Sequence, residues 1–301
     1  MPVTTTDILN RVRRVELRTS KLANDVMAGA YQSQFKGRGM DFEELREYTP
    51  GDDVRTIDWN VTAKMRRPFV KLHREERELA MMLVLDVSAS GEFGSTAQTK
   101  RDFAAEVAAT LAFSALKSGD KVGLLLFSEE VELFLPPKKG RRHLLRIIRE
   151  ALAFVPKKRG TSVRAALAFL NHVVKRRSIV FLLTDFLHSF GDGAQGERAL
   201  FTEIGHTNSR HDLVCLHLAD PRERALIPAG LLTIEDAETG EQCEVDTMRE
   251  SVRTSFTSAN EQRAEALDRG LTQTGVDILR LLPGDAYANT LQRFFEHRRK
   301  R

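Results

Sequence analysis

The stretch Ala80-Met81-Met82-Leu83-Val84-Leu85-Asp86-Val87-Ser88-Ala89-Ser90 decides how the rest of the chain reads. Its six consecutive apolar residues, bounded by polar sequence, are too few to cross a membrane and predict a strand buried on both faces. The run ends in Asp86, Ser88 and Ser90, two positions apart, so side chains leaving an extended backbone converge on one side of the strand end. One carboxylate and two hydroxyls at the carboxyl edge of a buried strand form a hard-oxygen cluster, placed where open α/β sheets bind ligands.

Outward from this strand the pattern alternates. Phe103, Val107 and Leu111 mark one face of a helix over 100–117, ended by Ser118-Gly119-Asp120. Strands are predicted over 121–127 and 131–135, the second closed by Pro136-Pro137, and a helix over 141–154. After the basic loop Lys157-Lys-Arg-Gly160, Thr161 and Ser162 stand at an N-cap position before a helix over 163–174. Residues 178–184 read as another buried strand, and Asp185 follows it directly. A helix over 197–204, a strand over 212–218, a long helix over 247–270, a last strand over 276–282 and a terminal helix over 285–297 complete the series. Asp-Ala-Glu-Thr-Gly240 between strands at 231–235 and 242–245 is a hairpin signal that interrupts the rhythm. Strands alternating with helices predict an α/β fold with a doubly wound, mostly parallel sheet covered on both faces.

The first 79 residues read differently, as an N-terminal segment before a main domain over 80–301, which carries the hairpin insertion at about 221–246. Ile8, Leu9, Val12, Val15, Leu22 and Val26 recur at spacings of three and four, with Thr19 in the one polar gap of an amphipathic helix. Too few heptads follow for a coiled coil, so this helix is expected to pack on its own chain. The block from Gly37 to Trp59 is dense in charge, holds a Pro50-Gly51 turn and contains the single tryptophan. Its mixed composition predicts a lid-like layer whose apolar members dock on the main domain while its ions pair among themselves.

Composition describes an ordinary globular protein: 301 residues, 42% hydrophobic, 29% charged, with a net charge of +4. Basic clusters at 138–142, 157–159, 175–177 and 298–301 lack interleaved aromatic residues, so they read as solvated helix ends rather than a nucleic-acid platform. Cys215 and Cys243 are the only cysteines. Cys215 lies in an apolar run, which suits a buried thiol in a reducing compartment. With no apolar leader or membrane-length run visible, the expected location is cytoplasmic.

Two resemblances now attach to these residues. Asp86-x-Ser88-x-Ser90 after a buried strand, a Gly160-Thr161 loop before a helix, and Asp185 after a later strand resemble the metal-ion-dependent adhesion site of von Willebrand factor A domains. The block Leu45-Arg-Glu-Tyr-x-Pro-Gly-Asp-Asp-Val-Arg-x-Ile-Asp-Trp59 resembles the signature of the bacterial domain-of-unknown-function family numbered fifty-eight. The resemblance implies a von Willebrand factor A-like fold and a site for Mg²⁺, or for Mn²⁺ or Ca²⁺. Ser88, Ser90 and Thr161 would bind the ion directly through hydroxyls, with Asp86 and Asp185 acting mainly through water. Neutral hydroxyls leave positive charge on the ion, so a partner's Glu or Asp can take the open position. The partners implied are a MoxR-type AAA+ ATPase and an acidic-residue-bearing client, with the chain as adaptor or co-chaperone in protein maturation or complex assembly. Adhesion domains often carry Gly where this chain has Phe186.

Other chemistry is poorly provided for. The sequence lacks a Gly-Lys-Ser/Thr phosphate loop, a G-x-G-x-x-G fingerprint and a G-x-S-x-G elbow, and its histidines show no zinc-like spacing. With no base or lysine adjacent in sequence, the cluster is expected to bind rather than catalyse. The alternative is a metal-assisted hydrolase, for which Glu92 and Asp192 are the nearest bases.

Overall fold

The computed structural model describes residues 5–23, 44–54, 57–72, 79–95, 98–187, 193–284 and 286–299. Val26, residues 37–43 of the charged block, and Asp192 lie outside them. Helix α1 (Thr5–Leu22) forms where the stripe predicts it. Val12 is buried, Val15 and Leu22 pack against the core, and buried Thr19 bonds its hydroxyl to the Val15 carbonyl at 2.7 Å. Ion pairs Arg11–Asp102, Arg18–Glu106 and Glu16–Arg141 pin the helix to the main domain.

The charged block is only half as expected. Strands β1 (Glu44–Glu47) and β2 (Phe69–Leu72) pair antiparallel, with helix α2 (Trp59–Met65) between them capped by Asp58. Among its described ions Arg46 pairs internally with Asp52 at 2.6 Å, while Glu47 pairs with Arg67, beyond the block, at 3.1 Å. Its apolar residues do not all dock: Ile57 is half-buried and bridges to buried Val70 of β2, but Trp59 and Val54 are 67% and 57% exposed. Hydrophobicity alone carries no information about which surface, if any, receives a side chain.

The main sheet contains β3 (Ala80–Asp86), β4 (Lys121–Phe127), β5 (Val131–Lys138), β6 (Ile179–Thr184), β7 (Asp212–Leu218) and β10 (Asp277–Leu281). Their order is β10-β7-β6-β3-β4-β5, parallel throughout except for edge strand β5. Alternate residues feed two cores, as a strand's period of two requires. Met81, Leu83 and Leu85 face helices α3 (Lys100–Lys117), α4 (Arg141–Ala153) and α9 (Tyr287–Arg299). Met82 and Val84 face α5 (Val163–Val173), α6 (Gly193–Arg210) and α8 (Glu250–Thr274). Helix α3 is buried almost all round and meets the sheet, α1 and α4 through Ala104, Ala105, Ala108, Ala109 and Ala112, whose small side chains allow close approach.

Strand β5 continues to Lys138, past the predicted end at Leu135. Prolines are tolerated there because β5 is an edge strand and the ladder is irregular between Val122 and Leu124. Gly123 is required at that irregularity: a Cβ would lie 2.9 Å from the Leu135 carbonyl oxygen. The hairpin forms as β8 (Leu231–Glu235) and β9 (Gln242–Asp246), after a short helix α7 (Pro221–Arg224) capped by Asp220. Cys215 is buried, Cys243 is exposed and both are free thiols.

Two histidines are packed inside with part of the ring unsatisfied. His211 and His217 each hold one buried ring nitrogen without a hydrogen-bond partner. His211 Nδ1 accepts from the Ser178 N–H at 3.3 Å, which requires that nitrogen to be unprotonated. Burial, with repulsion from Arg210 and Arg177, lowers its pKa to about 4. A histidine whose folded pKa lies below the unfolded 6.5 contributes stability that is full above pH 6.5 and lost as pH falls toward 4. Wild-type melting temperature should therefore fall more steeply between pH 7 and pH 4.5 than that of His211→Asn, by the equivalent of about 3 kcal/mol at most. Other titrating groups are common to both proteins and cancel in the difference. Parallel pH curves would refute this.

Candidate functional site

Strands β3 and β6 are neighbours, with Leu85 opposite Leu183, so the residues that follow meet at the carboxyl edge of the sheet. The chain leaves β3 toward β4 on one side, whereas β6 leads to β7 and β10 on the other, so this edge is a topological switch point. Thr184 donates its hydroxyl to Asp86 Oδ2 at 2.6 Å, and the Ser88 N–H donates to Asp86 Oδ1 at 2.9 Å. The backbone does not continue extended, as the spacing of two had suggested. It enters a 3₁₀ turn (Ala89–Glu92), which sets the hydroxyls of Ser88 and Ser90 3.1 Å apart. Ser90 in turn bonds Asp185, so half-buried Asp86 and buried Ser88, Ser90 and Asp185 form one connected group.

Thr161 lies on the adjoining loop. The Ala89 N–H donates to the Arg159 carbonyl at 3.0 Å and the Ser162 N–H to the Ser128 carbonyl at 2.8 Å, tying that loop to the same edge. Ser162, not Thr161, caps α5, its hydroxyl accepting from the Ala165 N–H. The Thr161 hydroxyl is thereby left for the rim, where it donates to the carboxylate of Glu238 from the hairpin.

Phe186 accounts for the departure from glycine after Asp185. Its φ of 56° is the left-handed conformation that glycine adopts freely. Here a buried ring, edge-on to His217 with centroids 5.9 Å apart, holds it in place.

The largest correction concerns Lys100. Distant in sequence, it is 2% exposed, and its ammonium donates to Asp185 Oδ2 at 2.6 Å and to Glu223. Burial acts to lower the pKa of this ammonium, but Asp185 and Glu223 together outweigh it and hold it raised. Asp185 is likewise buried, yet Lys100 and the Leu187 N–H keep its pKa low. Partial burial, with the nearby charge of Asp185, holds Glu223 raised against the pull of Lys100. Asp86 makes no ion pair among the described residues: burial and the charge of Asp185 push it up to about 7.

Two observations bear on a small hard cation here. Asp86, Asp185 and Glu223 face one ammonium, and since Asp86 and Glu223 are both raised, the surplus of two negative charges exists only where both are ionised. A cavity of about 10 Å³, room for one water or ion, is lined by Asp86, Ser90, Thr184 and Asp185 and by two cations, Lys100 and Arg101, the second of them paired with Glu92. The donors are carboxylate and hydroxyl oxygens, the chemistry of Mg²⁺, Mn²⁺ and Ca²⁺ rather than of zinc. Among the described residues no group of three His, Cys, Asp or Glu side chains forms a metal cluster, so any cation here depends on hydroxyls.

Lys100, Thr184, Glu223 and Glu238 were not foreseen. One signal pointed to Lys100: a basic residue opening a helix opposes the helix dipole and needs a local anion to offset it.

A model of the family described as "Protein of unknown function DUF58" matches residues 44–266. The chain belongs to that family. This DUF58 protein is 28% identical over 291 residues to the uncharacterized protein Rv1480 of Mycobacterium tuberculosis, covering 96% of this chain and 89% of that protein. Among solved structures it is similar to an aerotolerance-related membrane protein from Bacteroides fragilis (15% identity, TM-score 0.46, covering 74% of this chain and 98% of that chain). It is also similar to the SpRpn10 VWA domain (12% identity, TM-score 0.37, 71% and 93% covered). The sheet order, the single antiparallel edge and helices on both faces make the DUF58 fold von Willebrand factor A-like. Among the described residues no helix is long and apolar enough to cross a membrane.

Proposed function

We propose that this edge is a metal-ion-dependent binding site and the chain a non-enzymatic protein-interaction module. The observation that carries the reading is the convergence of Asp86, Ser88, Ser90 and Asp185 at one sheet edge, beside an ion-sized cavity that Asp86, Ser90 and Asp185 line. Ser88, Ser90 and Thr161 would hold Mg²⁺ through hydroxyls, with Asp86 and Asp185 ordering its waters. The ion supplies electrophilic attraction for a carboxylate. The protein supplies a pre-organised oxygen shell whose low charge leaves that attraction unspent. The partner is then a protein presenting Glu or Asp. The family resemblance supports a MoxR-type AAA+ ATPase as the associated machine, with the chain as its adaptor or co-chaperone.

A hydrolase reading is weakened by Glu92, one of its two candidate bases, which is paired to Arg101 at 2.7 Å. Lys100 favours a second reading, in which its ammonium is the permanent cation and the site works without metal. Affinity capture on the immobilised full-length chain separates the two. With Mg²⁺ present an AAA+ ATPase and acidic clients should be retained, and EDTA should release them. Retention unchanged by EDTA would favour the ammonium, and no retention of an ATPase would remove the adaptor role.

A further inference from the structure

The hairpin β8–β9 breaks the α/β rhythm, and its tip is built to hold one shape. Asp236 Oδ1 accepts from the N–H groups of Glu238 and Thr239, both at 2.9 Å, and the Gly240 N–H donates to the Asp236 carbonyl at 2.8 Å. Gly240 has φ of 76°, the left-handed conformation that closes the turn. This tip lies against the loop that bears Thr161. Arg159 Nε donates to the Ala237 carbonyl at 3.1 Å, and its guanidinium reaches Glu235 at 3.4 Å. The Thr161 hydroxyl donates to Glu238, and a Cβ on Gly160 would lie 3.6 Å from Glu238 Oε2. A carboxylate from a distant insertion is thus seated over the Gly160-Thr161 corner of the site.

We propose that Glu238 is a built-in carboxylate ligand. The hairpin tip occupies, within the same chain, the position that an acidic partner takes, and the partner binds by displacing it. This rests on the metal-site reading above and adds its regulation and the form of its partner. Tethering gives the tip a high effective concentration, so the site rests closed against stray carboxylates. The contacts that hold the tip are half-exposed polar pairs, individually weak, so a partner with further contacts can displace it. The displacing segment should share the tip's two features: a carboxylate for Thr161 and the ion, and an acceptor for Arg159.

The test uses the full chain and calorimetry with two probes. One is Mg²⁺ and the other is a synthetic peptide copying residues 233–244, with serine at position 243. Glu238→Gln should bind Mg²⁺ about tenfold more weakly than wild type, having lost one charged ligand. The Mg²⁺-loaded Glu238→Gln protein should bind the peptide at least about tenfold more tightly than Mg²⁺-loaded wild type, its docking position being vacated. Equal Mg²⁺ affinity, or equal peptide binding including none, overturns the role of Glu238. Asp86→Asn run alongside keeps the two claims apart. If it loses Mg²⁺ while Glu238→Gln behaves as wild type, the metal site stands and the built-in ligand falls. If it binds Mg²⁺ as wild type does, both fall.

Discussion

Replacing Lys100 by methionine should lower the melting temperature of the metal-free protein by roughly 10 °C, and Mg²⁺ should recover part of the loss. Removing one partner from a buried ion pair strands the other, at about 3–5 kcal/mol. Lys100 pairs with buried Asp185 and half-buried Glu223, and its loss leaves three carboxyl groups beside only Arg101, which is itself paired with Glu92. For a chain of this size each kcal/mol moves the melting temperature by about 2–4 °C. Methionine keeps much of the volume, so the loss reports charge and not a cavity. A divalent ion is drawn to the same surplus charge, so its stabilisation should be larger in Lys100→Met than in wild type. Equal melting temperatures without metal would show that the ammonium does not hold this edge together. Equal Mg²⁺-dependent shifts would show that the ion and the ammonium do not share a field.

That Lys100 escaped a reading of the sequence, while Asp86, Ser88, Ser90 and Asp185 did not, follows from what each signal is made of. Strands β3, β6 and β7 are apolar runs with polar ends, so their limits and the carboxylates that follow them are local properties of the chain. Parallel pairing then places both strand ends on one edge. Lys100 reaches the site only because α3 packs across the sheet, and Glu223 because α7 turns back beside β7. Neither placement is encoded in the neighbours of those residues. Ser88 and Ser90 were assigned to the site for the wrong local reason: a 3₁₀ turn, not strand alternation, brings their hydroxyls together. Thr161 and Ser162 illustrate a competition that sequence leaves open. Two adjacent hydroxyls could each cap α5, and the packing gives that task to Ser162. Trp59 was misjudged because a large apolar side chain signals burial only when an opposing surface exists, and 67% of it stays in contact with solvent.

The second large effect concerns the charge of Asp86. Its Oδ1 accepts from the Ser88 N–H, a bond the asparagine oxygen keeps, and its Oδ2 accepts from the Thr184 hydroxyl, where the asparagine amide would instead donate to the Thr184 oxygen. Asp86→Asn should therefore fold, and in EDTA it should melt no lower than wild type, since it also removes repulsion from Asp185. What it lacks is a carboxylate that can ionise toward a cation. Losing one carboxylate ligand from a small-ion site should weaken Mg²⁺ by about a hundredfold or more, the equivalent of roughly 3 kcal/mol. The most direct measurement is calorimetric titration of Mg²⁺ into wild-type protein and into Asp86→Asn. A binding heat in wild type that vanishes in the variant is the predicted result. Equal heats in the two proteins, or no heat in wild type, would contradict a metal-dependent site at this edge.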